Sequence, residues 1–335
     1  MTIYDISEKA GVSIATVSRV LNGSSSVSEK TKQKVMDVIN QYGYTPNAFA
    51  RGLGLNTMKT IGILCADSSD LYTAKAVYYL EQLLRANGYN SILCCSGYDL
   101  ENREKSMNLL LKQKVDATIL VGSSYIYESD AENKYITDAA AQIPVMLLNA
   151  ALEVPNIYCI LSDDHTSMYK ATMHMLNSGV EDILFFYNST SYSSKRKLSG
   201  HLSAMKAFGL PERPELLQFF KGSHEDIPAM AEHLKQAADQ GVTFHGVIAA
   251  DDILALGAIK YAREQGLRIP EDLAVIGYNN SMLTNACEPG LTSVDNKLET
   301  QCQHLITTLM NVLNGEETQT QTMFSGQLIK RGTTH

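Results

Sequence analysis

From residue 60 onward, short apolar runs alternate with stretches of helical periodicity, and this alternation limits the possible folds more than any other feature. The first runs lie at Ile61–Ala66, Ser91–Cys95, Ala117–Val121 and Pro144–Leu148. Runs of this length without polar interruption are typical of strands that are buried on both faces of a parallel sheet. Strands that alternate with helices in this way predict a parallel sheet covered by helices on both sides.

A second series of the same kind follows later in the chain. Its apolar runs lie at Ile183–Tyr187, Leu216–Phe220, Val247–Ala250 and Leu273–Gly277. Two such units predict two α/β lobes with a cleft between them, and ligands bind to these sheets at the carboxyl ends of the strands. We expect the lobes to divide residues 59–335, with lobe 1 at about 59–158 plus 290–322 and lobe 2 at about 159–289 plus 323–335.

Residues 1–45 have a different pattern, that of a small all-α unit. Apolar residues three and four apart predict a helix from Ile3 to Ala10, which Gly11 can end in a left-handed turn. The Ser13 hydroxyl can cap a second helix, and a third is predicted from Ser28 to Tyr42. Short helices joined by such a tight turn form a helix-turn-helix unit, whose second helix can enter the major groove of DNA.

The second of these helices exposes side chains that are suited to DNA. Arg19 can pair with a guanine edge, and Ile14 and Ala15 can contact thymine methyl groups. Polar and basic side chains around them can hold phosphates, which position the helix without reading sequence. The candidate DNA-binding residues of the head are Tyr4, Ser13, Ile14, Ala15, Thr16, Ser18, Arg19, Asn22, Lys30, Thr31 and Tyr44. An ordinary solvated helix face is the alternative interpretation of the same residues.

The head also resembles a known family over its whole length. The runs TIYDISEKAGVSIATVSRVLNG and VSEKTKQKVMDVINQYGYTPNAFARGL are similar to the DNA-binding region of the lactose and galactose repressors, the LacI/GalR family of transcriptional regulators. The resemblance implies that residues 46–58 form a hinge whose helix folds only on operator DNA, and two turns of helix are too short to be stable alone. It places Asn47, Ala50 and Leu53 on DNA, with Leu53 as an apolar wedge in the minor groove.

The body is similar to the ligand-binding core of the same family, through the segments DDILALGA, LRIPEDLAVIGYNN and PGLTSVD. The resemblance implies an all-α helix-turn-helix head with a hinge helix, followed by a two-lobed, periplasmic-binding-protein-like α/β domain with parallel sheets. It also implies a homodimer on a pseudo-palindromic, double-stranded DNA operator. A small-molecule effector, a sugar or sugar derivative, is then expected between the lobes.

Polar side chains near the predicted strand ends are the candidates for the effector site. Tyr72 offers an aromatic face, and carboxylates accept hydrogen bonds from vicinal hydroxyls. The candidates are Asp67, Ser69, Asp70, Tyr72, Asn149, Ser193, Lys197, His224, Asp251 and Asn279. The family usually has Arg where Lys197 stands and Asp where Asn279 stands, and Lys is not equivalent to Arg at a bidentate site. A differently charged small molecule or a phosphoprotein co-regulator therefore stays open as the signal.

The sequence shows no catalytic or metal-binding arrangement with adequate spacing. There is no HExxH pair, no GxxxxGK[ST] phosphate loop and no GxSxG elbow, and the six cysteines form no CxxC pair. We therefore predict no cofactor, no metal and no enzymatic activity. The alternative is a cytosolic sugar-binding protein or enzyme with an accessory DNA-binding head, which we do not favour because a complete DNA reader has no evident use in an enzyme.

Charge is divided unevenly along the chain. Up to Thr57, six basic side chains stand against four acidic ones, whereas the whole chain has a net charge of −8. A mildly basic head on an acidic body favours a separate nucleic-acid module. The N-terminus lacks a signal-peptide pattern and no run approaches the length of a membrane span, so we expect a cytoplasmic protein with reduced thiols in its core.

Overall fold

The computed structural model describes residues 1–21, 24–44 and 57–335. The predicted hinge helix with Asn47, Ala50 and Leu53, and the head residue Asn22, lie outside the described residues. Within the described ranges the protein has a three-helix head and two α/β lobes, each built on a six-stranded sheet. For these ranges, the predicted helix-turn-helix head and two-lobed α/β domain with parallel sheets are confirmed.

The head consists of α1 (Ile3–Ala10), α2 (Ile14–Leu21) and α3 (Glu29–Tyr42). Helix α1 begins at a capping box between Thr2 and Asp5 and ends at Gly11, whose φ of 57° lies in the left-handed region that glycine adopts readily. The apolar stripe predicted from the sequence forms the core. Its buried side chains are Ile6, Ala10, Val17, Val20, Val35 and Ile39.

Lobe 1 is a parallel sheet covered by helices on both faces. Its strands, in spatial order, are β11 (Gln321–Phe324), β5 (Ile157–Ser162), β4 (Val145–Leu148), β3 (Ala117–Val121), β1 (Thr60–Cys65) and β2 (Asn90–Cys95). Its helices are α4 (Leu71–Ala86), α5 (Leu100–Lys112), α6 (Lys134–Ala140) and α11 (Leu298–Leu313). Ile63 packs with Leu305 on one face of the sheet and Leu64 packs with Met107 on the other, which explains the unbroken apolar runs.

Lobe 2 repeats this architecture. Its strands, in spatial order, are β12 (Gln327–Ile329), β10 (Thr292–Asp295), β9 (Ala274–Tyr278), β8 (Gly246–Ala249), β6 (Ile183–Tyr187) and β7 (Leu217–Phe219). Only the pairing of β12 with β10 is antiparallel among the described strands. Its helices are α7 (Asp164–Asn177), α8 (Tyr192–Ala207), α9 (Ile227–Asp239) and α10 (Asp252–Glu264), with 3-10 turns at Pro214–Leu216 and Met282–Asn285.

The crossovers between the lobes lie a few residues from their predicted positions. Strand β5 pairs with β4, so lobe 1 continues to Ser162 rather than to about 158. Strand β10 pairs with β9, so the second crossover follows Asp295 instead of preceding residue 290. Strand β11 pairs with β5, so the chain returns to lobe 2 after Phe324 rather than before residue 323. Apolar runs identify strands, but the sheet that a strand joins depends on pairing that the pattern does not encode.

Candidate functional site

Helix α2 presents the surface that the sequence assigns to DNA. The Ser13 hydroxyl accepts a hydrogen bond from the Thr16 backbone N–H at 3.1 Å, which caps the helix as predicted. Because Val17 and Val20 are buried against α1 and α3, the opposite face carries the exposed side chains. Those exposed side chains are Ile14, Ala15 and Arg19, with Ser18 half-buried beside them.

The other head candidates divide into exposed groups and groups that stabilise helix starts. Tyr4 is 68% exposed and Lys30 is also exposed, so both are free to meet a phosphate backbone. The Thr31 hydroxyl instead lies 2.9 Å from that of Ser28, which caps α3. Tyr44 is half-buried and packs against the head core. Cap hydroxyls and a half-buried ring can still contact the phosphate backbone of DNA, but in this structure they stabilise the head itself.

The body contains a cavity of about 630 Å³ that takes its lining from both lobes. Five predicted effector residues line it: Asp70, Tyr72, His224, Asp251 and Asn279. Asp70 and Tyr72 follow β1 in lobe 1, whereas Asp251 follows β8 and Asn279 follows β9 in lobe 2. Residues that follow parallel strands therefore meet across the cleft, at the carboxyl ends where such sheets bind ligands.

Two of the lining carboxylates also begin helices. Asp70 Oδ1 accepts from the Thr73 backbone N–H at 2.8 Å at the start of α4, and Asp251 Oδ1 accepts from that of Leu254 at 2.8 Å at the start of α10. Burial raises the pKa of the Asp251 carboxyl, and the nearby His224 imidazole acts in the opposite direction. These carboxylates are held in fixed orientations by backbone donors, which preorganises them for a ligand.

His224, Tyr72 and Asn279 also line the cavity, and their polar atoms differ in how they are paired. His224 Nε2 lies 3.3 Å from Asp251 Oδ2, but the two are not aligned for hydrogen bonding, so this nitrogen has no hydrogen-bond partner. The buried Tyr72 hydroxyl also lacks a partner, and burial raises the pKa of this phenol well above its ordinary value. Asn279 Oδ1 accepts from the side chain of Asn296 at 3.0 Å. Buried polar atoms without partners are costly, so they suggest places where a ligand completes the hydrogen bonding.

The other five predicted effector residues do not line the cavity. Asp67 is exposed and accepts from the backbone N–H and the hydroxyl of Ser69, both at 2.8 Å, so these two residues satisfy each other. Asn149 has a φ of 63° and accepts from the Ser162 N–H at 3.2 Å, which ties β4 to β5. Ser193 and Lys197 are buried within lobe 2. Their positions after strands or at helix starts are as expected, but packing and local hydrogen bonds turn them away from the cavity.

Lys197 belongs to a buried polar cluster within lobe 2. Its Nζ donates to the Ala250 carbonyl at 2.8 Å and lies 3.8 Å from the centre of the Tyr278 ring. The Tyr278 hydroxyl donates to Asp164 Oδ1 at 2.6 Å. Burial lowers the pKa of Lys197, and the Asp164 carboxylate is the strongest of the influences that oppose this shift. Lys197 therefore anchors the backbone just before Asp251 and balances a buried carboxyl group.

Several lining residues were not predicted from the sequence. They include Asp252, Ser281, Met282, Asn296 and Lys297. Asn296 and Lys297 follow the carboxyl end of β10, so the rule that selected Asp251 and Asn279 applies to them too. Lys297 Nζ donates to Asp295 Oδ2 at 3.2 Å. The second crossover thus contributes directly to the cavity.

Two absences hold for residues 1–21, 24–44 and 57–335. These ranges contain no group of three or more His, Cys, Asp or Glu side chains that could hold a metal ion. Every helix in them is also too short or too polar to cross a membrane.

Comparisons with known proteins agree with this architecture. Residues 2–47 match the family of bacterial regulatory proteins called the lacI family, and residues 172–334 match the periplasmic binding protein-like domain. The lac repressor dimer bound to operator and an anti-inducer superimposes with a TM-score of 0.87 at 23% identity, over 99% of this chain and 98% of that chain. The transcriptional regulator CelR in complex with cellobiose has a TM-score of 0.71 at 25% identity and covers 99% of both chains.

Two sequence relatives match this chain along most or all of its length. An HTH-type transcriptional regulator of Lachnoclostridium phytofermentans is 52% identical over 335 residues, which is all of both chains. Catabolite control protein A of Priestia megaterium is 30% identical over 297 residues, 88% of this chain and 87% of its own length. With the helix-turn-helix head and the two-lobed body, these relatives show that the chain belongs to the lacI family of DNA-binding transcriptional regulators.

Proposed function

We propose that this protein is a homodimeric repressor that binds a pseudo-palindromic operator and is controlled by a sugar or sugar derivative held between its lobes. The observation that carries the proposal is the cavity of about 630 Å³ in which polar side chains from both lobes converge. A ligand that contacts both lobes favours one relative placement of them and so shifts the population of states. No catalytic step is part of this function.

In this proposal the exposed face of α2 reads the major groove. Arg19 pairs with a guanine edge, and Ile14 and Ala15 contact thymine methyl groups. The exposed Tyr4 and Lys30 hold phosphates, together with groups at the helix starts. Asn47, Ala50 and Leu53 of the hinge contact the minor groove between the two half-sites, with Leu53 as the wedge.

The charge of the cavity favours a neutral ligand with many hydroxyl groups. Its acidic side chains outnumber its lysines: the former are Asp70, Asp251, Asp252, Asp295 and Glu299, and the latter are Lys75 and Lys297. Carboxylates accept hydrogen bonds from hydroxyl groups but repel phosphate groups. Tyr72, Tyr78 and Tyr79 add aromatic surface, which suits the apolar face of a sugar ring.

Control of DNA binding follows from the position of the hinge between the head and lobe 1. Closure or rotation of the lobes changes the separation of the two hinge segments in a dimer. Segments that move apart lose the contacts that fold the hinge helices, because two turns of helix are not stable alone. Segments that move together gain those contacts. The same movement of the lobes can therefore serve an inducer or a co-repressor.

A thermal-shift screen tests the ligand class. The full chain is heated with cellobiose and other neutral mono- and disaccharides, and separately with sugar 6-phosphates. Because a ligand that binds only the folded state raises its stability, we expect saturable stabilisation by a neutral sugar and little by its phosphate. Stabilisation by the phosphates alone, or by no sugar at all, contradicts the proposed ligand and favours an anionic effector or a phosphoprotein co-regulator.

A further inference from the structure

Two cysteines face each other in neighbouring strands of lobe 1. Strands β1 and β2 pair in parallel with Cys65 opposite Cys95, and their sulfur atoms are 3.7 Å apart. Cys65 is buried, whereas Cys95 is exposed on β2, which lies at the edge of the sheet. The expectation that the cysteines are buried core residues therefore does not hold for Cys95.

We propose that Cys65 and Cys95 are a redox-active thiol pair that a low-molecular-weight disulfide converts into an intrachain disulfide. Neighbouring strands are about 4.8 Å apart, within the Cα–Cα range of roughly 4.4–6.8 Å that a disulfide requires. Paired residues of a parallel ladder project from the same face of the sheet. The sulfur atoms need only approach from 3.7 Å to a bond of about 2.05 Å, which side-chain rotation can supply.

The exposure of the two thiols sets the order of the reaction. The Cys95 thiolate attacks the small disulfide, forms a mixed disulfide and releases one small thiol. Cys65 then attacks the Cys95 sulfur, loses its proton and releases the second small thiol, so that two electrons and two protons pass to the small disulfide. Burial raises the pKa of the Cys65 thiol to about 12, with a further contribution from the Cys95 contact, so Cys65 acts second and slowly.

The pair lies next to the chain segment that enters the cavity. Beyond Cys65 the ladder continues, because the Ser96 N–H donates to the Cys65 carbonyl and the Gly97 N–H donates to the Ala66 carbonyl, both at 2.9 Å. Asp70 and Tyr72 follow within seven residues of Cys65. A disulfide at this point links the two strand ends covalently, and we expect it to change ligand affinity at the cavity. This last step rests on the proposed function, whereas formation of the bond does not.

The neighbouring Cys94 provides a matched control. It precedes Cys95 on the same strand, and side chains alternate between the faces of a strand, so its thiol projects to the face opposite Cys65. Cys94 is also partly accessible, like Cys95. A reaction that depends only on accessible thiols would include Cys94, but the proposed bond would not.

The test is oxidation of the full chain with oxidised glutathione, followed by peptide mapping without reduction. We expect a Cys65–Cys95 peptide that disappears in Cys95→Ser and in Cys65→Ala and persists in Cys94→Ser. A lasting glutathione adduct on Cys95, or a covalent dimer joined through Cys95 of two copies, would overturn the proposal. Because Cys65→Ala opens a small cavity in the core, the exposed Cys95→Ser variant is the decisive one.

A second arm separates the pair from the cavity. Stabilisation by cellobiose, or by whichever neutral sugar binds, is compared for the oxidised and reduced protein. A mapped disulfide with unchanged stabilisation contradicts the coupling alone. A mapped disulfide in a protein that no sugar stabilises contradicts the proposed ligand and leaves the thiol pair standing.

Discussion

The ammonium group of Lys197 lies 3.8 Å from the centre of the Tyr278 ring, and the Tyr278 hydroxyl donates to Asp164 on the same side of lobe 2. The same ammonium donates to the Ala250 carbonyl, one residue before Asp251 of the cavity. A residue that the sequence predicted at the effector site therefore holds the backbone beside Asp251 instead. This contact needs a single donor rather than a bidentate fork, so a Lys can make it without the guanidinium group of an Arg.

Removal of the Lys197 charge should destabilise the fold. Lys197→Met keeps the length of the side chain but removes the charge that most lowers the pKa of the buried Asp164, and it leaves the Ala250 carbonyl without its donor, which should cost about 1–3 kcal/mol. Unfolding in urea, followed by circular dichroism, measures this loss. Lys206→Met, on the exposed side of the same helix, should change stability by less than about 0.5 kcal/mol. Equal effects of the two substitutions would show that Lys197 has no special role.

The Asp251 carboxylate should matter for the ligand more than for the fold. Asp251→Asn keeps a side chain that caps α10 well, but it removes the charge beside His224. Hydrogen bonds to charged groups contribute about 1.5–3 kcal/mol, so we expect the affinity for the stabilising sugar to fall roughly ten- to hundredfold in calorimetric titration. Asp226→Asn is the control, since Asp226 caps α9 in the same way and does not line the cavity. A similar loss of affinity in both variants would argue against direct contact by Asp251.

Arg19 and Lys30 should differ in how they affect DNA binding. In the proposed function Arg19→Ala removes a base contact, which is worth about 1–3 kcal/mol, so affinity for the selected operator should fall much more than affinity for random DNA. Lys30→Ala removes the proposed phosphate contact, so both affinities should fall alike and the salt dependence should become shallower. Fluorescence anisotropy at several salt concentrations measures both variants. If Arg19→Ala lowers the affinity for both DNAs equally, Arg19 is a phosphate contact.

His201 should make stability depend on pH. It is buried, stacks on Phe185 and has a pKa lowered by burial from 6.5 to about 4. Between these values the unfolded chain binds more protons than the folded one, so stability is full above about pH 6.5 and falls as the pH drops towards 4, by up to about 3 kcal/mol. Urea unfolding at several pH values measures this slope.

The matched variant isolates this contribution from those of other groups. His233 has a pKa lowered in the same direction, whereas Asp252 has a pKa raised to about 6 and acts in the opposite one. The informative quantity is therefore the difference between the wild type and His201→Gln in the slope of stability against pH. We expect the slope of the variant to be shallower. Identical slopes would contradict the prediction, whatever the absolute stability of the variant.

The sequence predicted the strand ends at the cleft better than the contacts made there. Asp70, Asp251 and Asn279 line the cavity because they follow strands, and that position is visible in an apolar run. Asn149 and Lys197 also lie near predicted strand ends or helix starts. Their side chains, however, form hydrogen bonds with the backbone of Ser162 and of Ala250. Such partners are brought together by packing between distant segments, which a linear pattern does not contain.

Strand β5 and helix α7 were not predicted, for a different reason. Strand β5 follows β4 with no helix between them, so it breaks the alternation on which the prediction depended. The run also contains Tyr158, Cys159 and Ser162, which makes it less apolar than its neighbours. In the head, by contrast, the predicted apolar stripe, the Ser13 cap and the terminating Gly11 all agree with the structure. Local interactions alone determine those helix ends.

The most direct test of the account is reciprocal titration of the purified protein with DNA and sugar. An operator is first selected from random double-stranded DNA, and its affinity is measured with and without the stabilising neutral sugar. The affinity for the sugar is then measured with and without that operator. We expect both affinities to change by the same factor, between about 5- and 150-fold, because coupling between two sites is reciprocal. A sugar that binds in the cavity and leaves the affinity for the operator unchanged would contradict it.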